Sequence, residues 1–406
     1  MGVDWDGTAV GFACLGGFLI ALSTIINLYV MGRITGMSGI LFTISTWNKK
    51  EGLIWKISFI TGLIGIIVCF RLGVDHKVSG QKIFDGEEAG DDLDVAGWIV
   101  GGLFVGFGTK FGNGCTSGHA VCGVPRFSPR SIIATCIFLG FGIATATLRH
   151  YEPFLDDTLD VSSDAYDIYR LVSGWVYLAV FVGFLILAII TALSKATTKI
   201  GKFDLWVSCF AGALFGLGLL LSGMCRRTKI LAFLTMADGW DPSLIFVMAV
   251  AVSINVVAFN LILRQKKPLC SAKFGVPTNK QIDYGIIIGP AFFGMGWGLT
   301  GFCPGPAMAN LVLLPQAALE VLFIIIGQLL TDFGLKRWKS FKEKQKKDNV
   351  SEKTSNPISP GKINDIKEGD KTSNVHDLEK FGNSQDLGKT DNNQDQGNSN
   401  IAQVSP

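Results

Sequence analysis

Up to about residue 335 the chain alternates long apolar runs with short polar breaks, and beyond that point it turns polar. Nine runs, at about 8–32, 52–73, 95–112, 131–148, 171–194, 205–224, 242–263, 284–302 and 315–335, come close to the ~20 residues that a helix needs to cross the hydrocarbon core. The pattern predicts an all-α polytopic membrane protein with about nine transmembrane helices. A transmembrane domain is expected over 1–335. A disordered cytoplasmic tail is expected over 336–406, because that segment is rich in Lys, Asp, Asn, Ser, Gln and Gly and has too little apolar surface to offset the entropy of ordering.

The breaks repeat. The first run ends in Gly32-Arg33-Ile34-Thr35-Gly36-Met37-Ser38 and the sixth in Ser222-Gly223-Met224-Cys225-Arg226-Arg227, each with a Gly-Met pair. The third and eighth runs alternate glycines and then break at a Gly-x-Cys, at Asn113-Gly114-Cys115 and at Gly301-Phe302-Cys303. Two units follow, repeat one over 8–148 and repeat two over 205–335, with 171–194 as a connector helix. An odd number of crossings between them inverts the second unit. Short broken or re-entrant segments from both sides can then meet near the midplane, where freed N–H groups suit an anion.

Overall composition adds little: 49% of residues are hydrophobic, the mean hydropathy is +0.39 and the net charge is +3. Charge placement is more informative. Lys336, Arg337, Lys339 and the lysines after them place the C-terminus inside, and nine crossings then place the acidic N-terminus outside. Arg226, Arg227 and Lys229 are the exception, a basic cluster on the outer side. The acidic start and the length of the first run argue for a spanning helix and against a signal peptide. No ATP-binding motif, cofactor motif or nucleic-acid-binding pattern stands out, and the default location is the plasma membrane.

The candidate chemistry lies in the breaks. Cys115 and Cys303 hold matching places in the two units, and Cys225 lies in the third break. A thiol is a weak, polarizable hydrogen-bond donor, suited to a soft anion that must bind and then leave. Gly114, Ser117, Gly118, His119 and Lys110 surround the first cysteine, and Gly301, Pro304 and Gly305 surround the second. Cys115, His119 and Cys122 suggest a zinc site, but a tetrahedral site needs a fourth ligand that this loop does not supply. His119 is therefore expected to satisfy loop carbonyls or to donate to a substrate, and no metal is expected. Lys110 either serves the substrate or snorkels to the interface, and Glu320 and Asp332 are candidate counter-charges or proton carriers.

Several of these motifs, taken in order, resemble the YeeE/YedE sulfur-transport family. They are Gly114-Cys115-Thr116-Ser117-Gly118-His119, Ser128-Pro129-Arg130-Ser131, Ser222-Gly223-Met224, Gly239-Trp240-Asp241-Pro242-Ser243 and Gly301-Phe302-Cys303-Pro304-Gly305-Pro306. The resemblance covers about 1–335, with the two halves that are often separate proteins fused in one chain. It implies an hourglass-like fold and uptake of thiosulfate or a related sulfur-containing anion through a constriction lined by Cys115 and Cys303. The expected partners are the lipid bilayer and an intracellular sulfur-accepting protein of unknown identity. Met37 and Ser38 stand where thiosulfate-transporting relatives can carry a cysteine. The alternative is an integral-membrane thiol enzyme that moves sulfane sulfur between the cysteines. The absence of a Cys-x-x-Cys motif or a soluble catalytic domain favours transport over an enzyme.

Overall fold

A computed structural model describes residues 6–73, 77–78, 81–85, 92–155, 182–183, 199–279 and 281–355. The first half holds α1 (Gly7–Met31), α2 (Met37–Ser45), α3 (Leu53–Gly73), α4 (Val95–Phe111) and α5 (Pro129–Tyr151). A short antiparallel hairpin, β1 (Lys77–Val78) with β2 (Gln81–Lys82), lies between α3 and α4. The second half holds α6 (Lys199–Ser222), α7 (Arg227–Leu234), α8 (Ser243–Ile262), α9 (Gly285–Thr300), α10 (Pro304–Asn310) and α11 (Pro315–Ser355). The chain divides into two compact units, Met1–Lys342 and Glu343–Pro406; the first holds the apolar helices, and residues 343–355 of the second are helical.

The protein is an all-α polytopic membrane protein. Among the described residues, seven helical stretches are long and apolar enough to cross a membrane, and the apolar α4 is shorter. The expected runs other than 171–194 each coincide with a described helix. The connector 171–194 falls, apart from 182–183, outside the described residues. The last helix differs from its expected end at 335 and continues to Ser355. Its extension is rich in Lys, Glu and Gln, which are good helix formers even though they end the apolar pattern. The remainder of the expected tail, after 355, lies outside the described residues.

Local chemistry explains the helix ends. Asp6 caps α1 by accepting the Thr8 N–H at 2.8 Å, and Asp94 caps α4 by accepting the Gly97 N–H at 2.6 Å. α5 and α10 open on Pro129 and Pro304, whose missing N–H costs nothing in the first turn. α1, α6 and α9 stop at Gly32, Gly223 and Gly301, with φ of 71°, 77° and 81°. That left-handed conformation lets the chain turn back into the protein.

Glycine also sets the packing. α1 packs on α6 and α8, α6 on α1 and α3, and α9 on α4 and α5. A Cβ on Gly62 of α3 would strike the carbonyl oxygen of Cys209 in α6, and one on Gly106 of α4 would strike that of Ile324 in α11. Without a hydrophobic force between helices in lipid, such close backbone approach and its dispersion contacts hold the bundle. Phe18, Leu72, Trp206, Phe210, Leu330 and Phe333 are exposed, as a surface facing acyl chains requires.

Candidate functional site

The break after α4 is built from Gly112 to Phe127. It contains a π-helical turn, Ser117–Val121, followed by a short 3-10 turn, Val124–Arg126. Such π turns are rare and often mark functional positions. His119 organises the break. Its Nε2 donates to the Gly112 carbonyl at 3.3 Å, which leaves Nδ1 to accept the Ser131 hydroxyl at 3.2 Å. The ring lies over Gly114, where a Cβ would come within 2.6 Å of Nε2. The imidazole thus satisfies a loop carbonyl, one of its two expected roles. The Cys122 thiol faces elsewhere, to the Thr35 carbonyl at 3.7 Å.

Cys115 and Ser117 meet the start of α2. The Ser38 N–H donates to Cys115 Sγ at 3.4 Å, and the Met37 N–H donates to Ser117 Oγ at 3.0 Å. Sγ and Oγ are 3.3 Å apart. Two of the free N–H groups that begin any helix are therefore held by soft or neutral acceptors.

Cys303 precedes α10 and borders the same small cavity as Cys115. This cavity, about 30 Å³, is also lined by Thr116, Ser117, Met37, Met224 and Gly305. The buried Thr116 hydroxyl lies within hydrogen-bond reach of the Cys303 thiol. A space of this size holds about one water.

A second, larger cavity of about 900 Å³, the vestibule, is lined by α2 and the break after α4. Gly114, Gly118, His119 and Lys110 line it, with Arg33, Lys56, Arg126 and Arg130 as its other cations. Lys110 lies 2.9 Å from Asp332 and over the Phe42 ring, so it is ion-paired as well as facing the vestibule. Arg33 forms a two-pronged pair with Asp204, both contacts at 2.7 Å. Arg126 donates to the carbonyls of Cys122 and Pro277, and burial lowers its pKa. Partial burial pushes the Asp283 carboxyl up, but the hydrogen bond and charge of Arg130 outweigh it and hold the carboxyl below its usual value.

Three of the sequence candidates lie apart from both cavities. Cys225 is fully buried, and its neighbour Met224 lines the small cavity instead. Gly301 forms the turn after α9, and Pro304 is the first residue of α10. The basic cluster that broke the charge pattern is tied to the acidic segment before α4. Arg226 bonds Asp85 at 3.1 Å, while Arg227, 1% exposed, bonds Asp92 and the Thr300 carbonyl. Arg149 joins Asp92 at 3.2 Å from α5. The residues that sequence reasoning did not single out are Thr116 beside Cys303, the α2 amides, and Asp85 with Asp92.

Residues 203–342 match a family of unknown function, DUF6691. A protein of Xylella fastidiosa (strain 9a5c) named a probable transporter is 46% identical over 131 residues, 90% of its own length and 30% of this chain. Another from Xylella fastidiosa (strain Temecula1 / ATCC 700964), also named a probable transporter, is 40% identical over 139 residues, 92% of its length and 34% of this chain. The chain belongs to the family of these proteins. Most of each relative corresponds to about a third of the present sequence.

Proposed function

We propose that the chain is a membrane transporter or facilitator that passes thiosulfate or a related small sulfur-containing anion between Cys115 and Cys303. The observation that carries this reading is the shared cavity, where two thiols, Cys115 and Cys303, meet the buried hydroxyls of Thr116 and Ser117. A guest anion would meet S–H and O–H donors without a formal cation, which favours binding weak enough to release. The vestibule supports the same reading, because its cations attract anions toward the constriction. A space for one water is smaller than a sulfur oxyanion, so passage requires widening. Met37, Met224 and Met248 line the cavity, and methionine adapts readily to such a change.

The two halves are read as inverted repeats. Support comes from the packing, in which α1 on α8 is matched by α6 on α3, and α9 on α5 by the close approach of α4 to α11. Relatives much shorter than this chain support units that exist as separate proteins. In this reading, which the Lys and Arg bias supports, the vestibule and the C-terminus face the cytoplasm across a plasma membrane and the N-terminus lies outside. The accepting partner inside would be a sulfur-carrying protein.

The test is uptake of radiolabelled thiosulfate into proteoliposomes. Cys115→Ala and Cys303→Ala are each expected to cut uptake at least roughly tenfold, equivalent to about 1.4 kcal/mol of lost stabilisation along the path. Full uptake by either variant, or none by folded wild type, overturns the reading. A persulfide trapped on Cys115 without uptake would favour the sulfur-transferring enzyme.

A further inference from the structure

The last helix carries two carboxylates in its apolar part, and they are treated differently. Asp332 has cations on both sides, Lys110 at 2.9 Å and Lys336 at 2.7 Å. Glu320 is fully buried. Its Oε1 lies 2.8 Å from Thr300 Oγ1, and its Oε2 has no hydrogen-bond partner among the described residues.

The Thr300 hydroxyl decides between two proton arrangements. It has a single hydrogen and two acceptors in reach, Glu320 Oε1 and the Gly296 carbonyl at 3.2 Å, while its oxygen accepts the Phe302 N–H at 3.2 Å. If Glu320 is ionised, the hydrogen goes to Glu320, and a buried negative oxygen remains unpaired. If Glu320 is protonated, its O–H donates to Thr300 and the Thr300 hydrogen is free for Gly296. The second arrangement uses every proton in the cluster, so the geometry favours a neutral acid at rest.

The charged and titratable neighbours on the packed elements are few. Arg227 from α7 and Cys303 from the turn before α10 face Glu320. α9, α10 and α2 carry no ionisable residue except that turn's cysteine, and the single one on α4 is Lys110, already paired with Asp332. Arg227 donates from Nε to the Thr300 carbonyl at 2.7 Å, and the Phe302 N–H on Thr300 leads directly to Cys303. A change of protonation at Glu320 would therefore redirect the Thr300 hydrogen and change the field on Arg227, at the base of the segment that holds the constriction cysteine.

We propose that Glu320 is a proton-binding site that couples proton movement to passage of the anion. The inference rests on the transport reading above. It also meets an energetic need of that reading. Negative charge moving inward against an inside-negative potential runs uphill, and a proton taken up on Glu320 from one side and released to the other would offset part of that charge.

The test uses the full chain in proteoliposomes with labelled thiosulfate on both sides, measuring exchange at symmetric pH and accumulation under an inward proton gradient. One pH unit supports at most roughly tenfold accumulation per proton carried. Wild type should accumulate the anion under the gradient and lose this response to a protonophore. Glu320→Gln, which mimics the neutral acid in shape, should show no response to the gradient. Infrared spectra of the purified protein at neutral pH should contain the carbonyl stretch of a buried carboxylic acid, absent from Glu320→Gln. A gradient response that persists in Glu320→Gln overturns the inference, as does the lack of that acid band. Failure of wild type to exchange thiosulfate would sink the substrate reading, and the acid band would still decide whether Glu320 holds a proton.

Discussion

At the start of α2 the N–H groups of Met37 and Ser38 go to a hydroxyl and a thiol, whereas at the start of α7 the Thr228 N–H goes to the Asp85 carboxylate at 2.9 Å. Both are short helices that follow a long apolar one, and both leave free N–H groups at a positive helix end. Asp85 also accepts the Thr228 hydroxyl at 2.7 Å and pairs with Arg226, so that end carries a charge-assisted clamp. The α2 end carries a neutral hydroxyl and a thiol, acceptors that the proposed anion would replace at small cost. On the proposed function, the difference separates a joint that holds the structure from one that borders the path.

The sharpest way to break this comparison is at Arg227, the buried partner of Asp92 and of the Thr300 carbonyl. Arg227→Ala would leave that carbonyl without its donor and Asp92 with Arg149 alone. Asp92 is half exposed, so the loss is discounted from that of a fully buried pair, to about 3 kcal/mol. Thermal unfolding in detergent should show a large drop in stability. An unchanged midpoint would remove the clamp reading.

Asp85→Asn should act in the same direction with a smaller effect. The amide keeps an acceptor for Thr228 but loses the charge for Arg226 and for the helix end, a cost of about 1–2 kcal/mol. Uptake per folded molecule should remain near wild type, because Asp85 lies away from both the constriction and the vestibule. A several-fold change in the apparent affinity for thiosulfate at intact stability would move Asp85 from the clamp to the path.

Hydropathy alone located the long helices, because each must be apolar over about 20 residues regardless of its neighbours. It also led to Cys115 and Cys303, because glycines and prolines mark where a helix must break. The pairings were not legible. Asp85 and Arg226 are 141 positions apart, and no periodic pattern links them. Arg226 and Arg227 stood out from the charge placement because their carboxylates, Asp85 and Asp92, come from the distant segment before α4. Thr116 was hidden for another reason: its hydroxyl becomes notable only when the fold brings it to the Cys303 thiol of the other half.

Ser117 gives the mildest test. Ser117→Ala removes the acceptor of one α2 amide and one hydroxyl from the constriction. The adjacent cavity of about 30 Å³ can hold a water that accepts the Met37 N–H, so the stability loss should be at most about 1 kcal/mol. Uptake should suffer more than stability, with a few-fold rise in the thiosulfate concentration needed for half-maximal rate. That ratio is the reverse of the one expected for Asp85→Asn. If Ser117→Ala instead unfolds the protein as readily as Arg227→Ala, then the α2 start is also a clamp. The thiol and hydroxyl there would then serve the fold first, and the path would have to be sought among the other residues around Cys303.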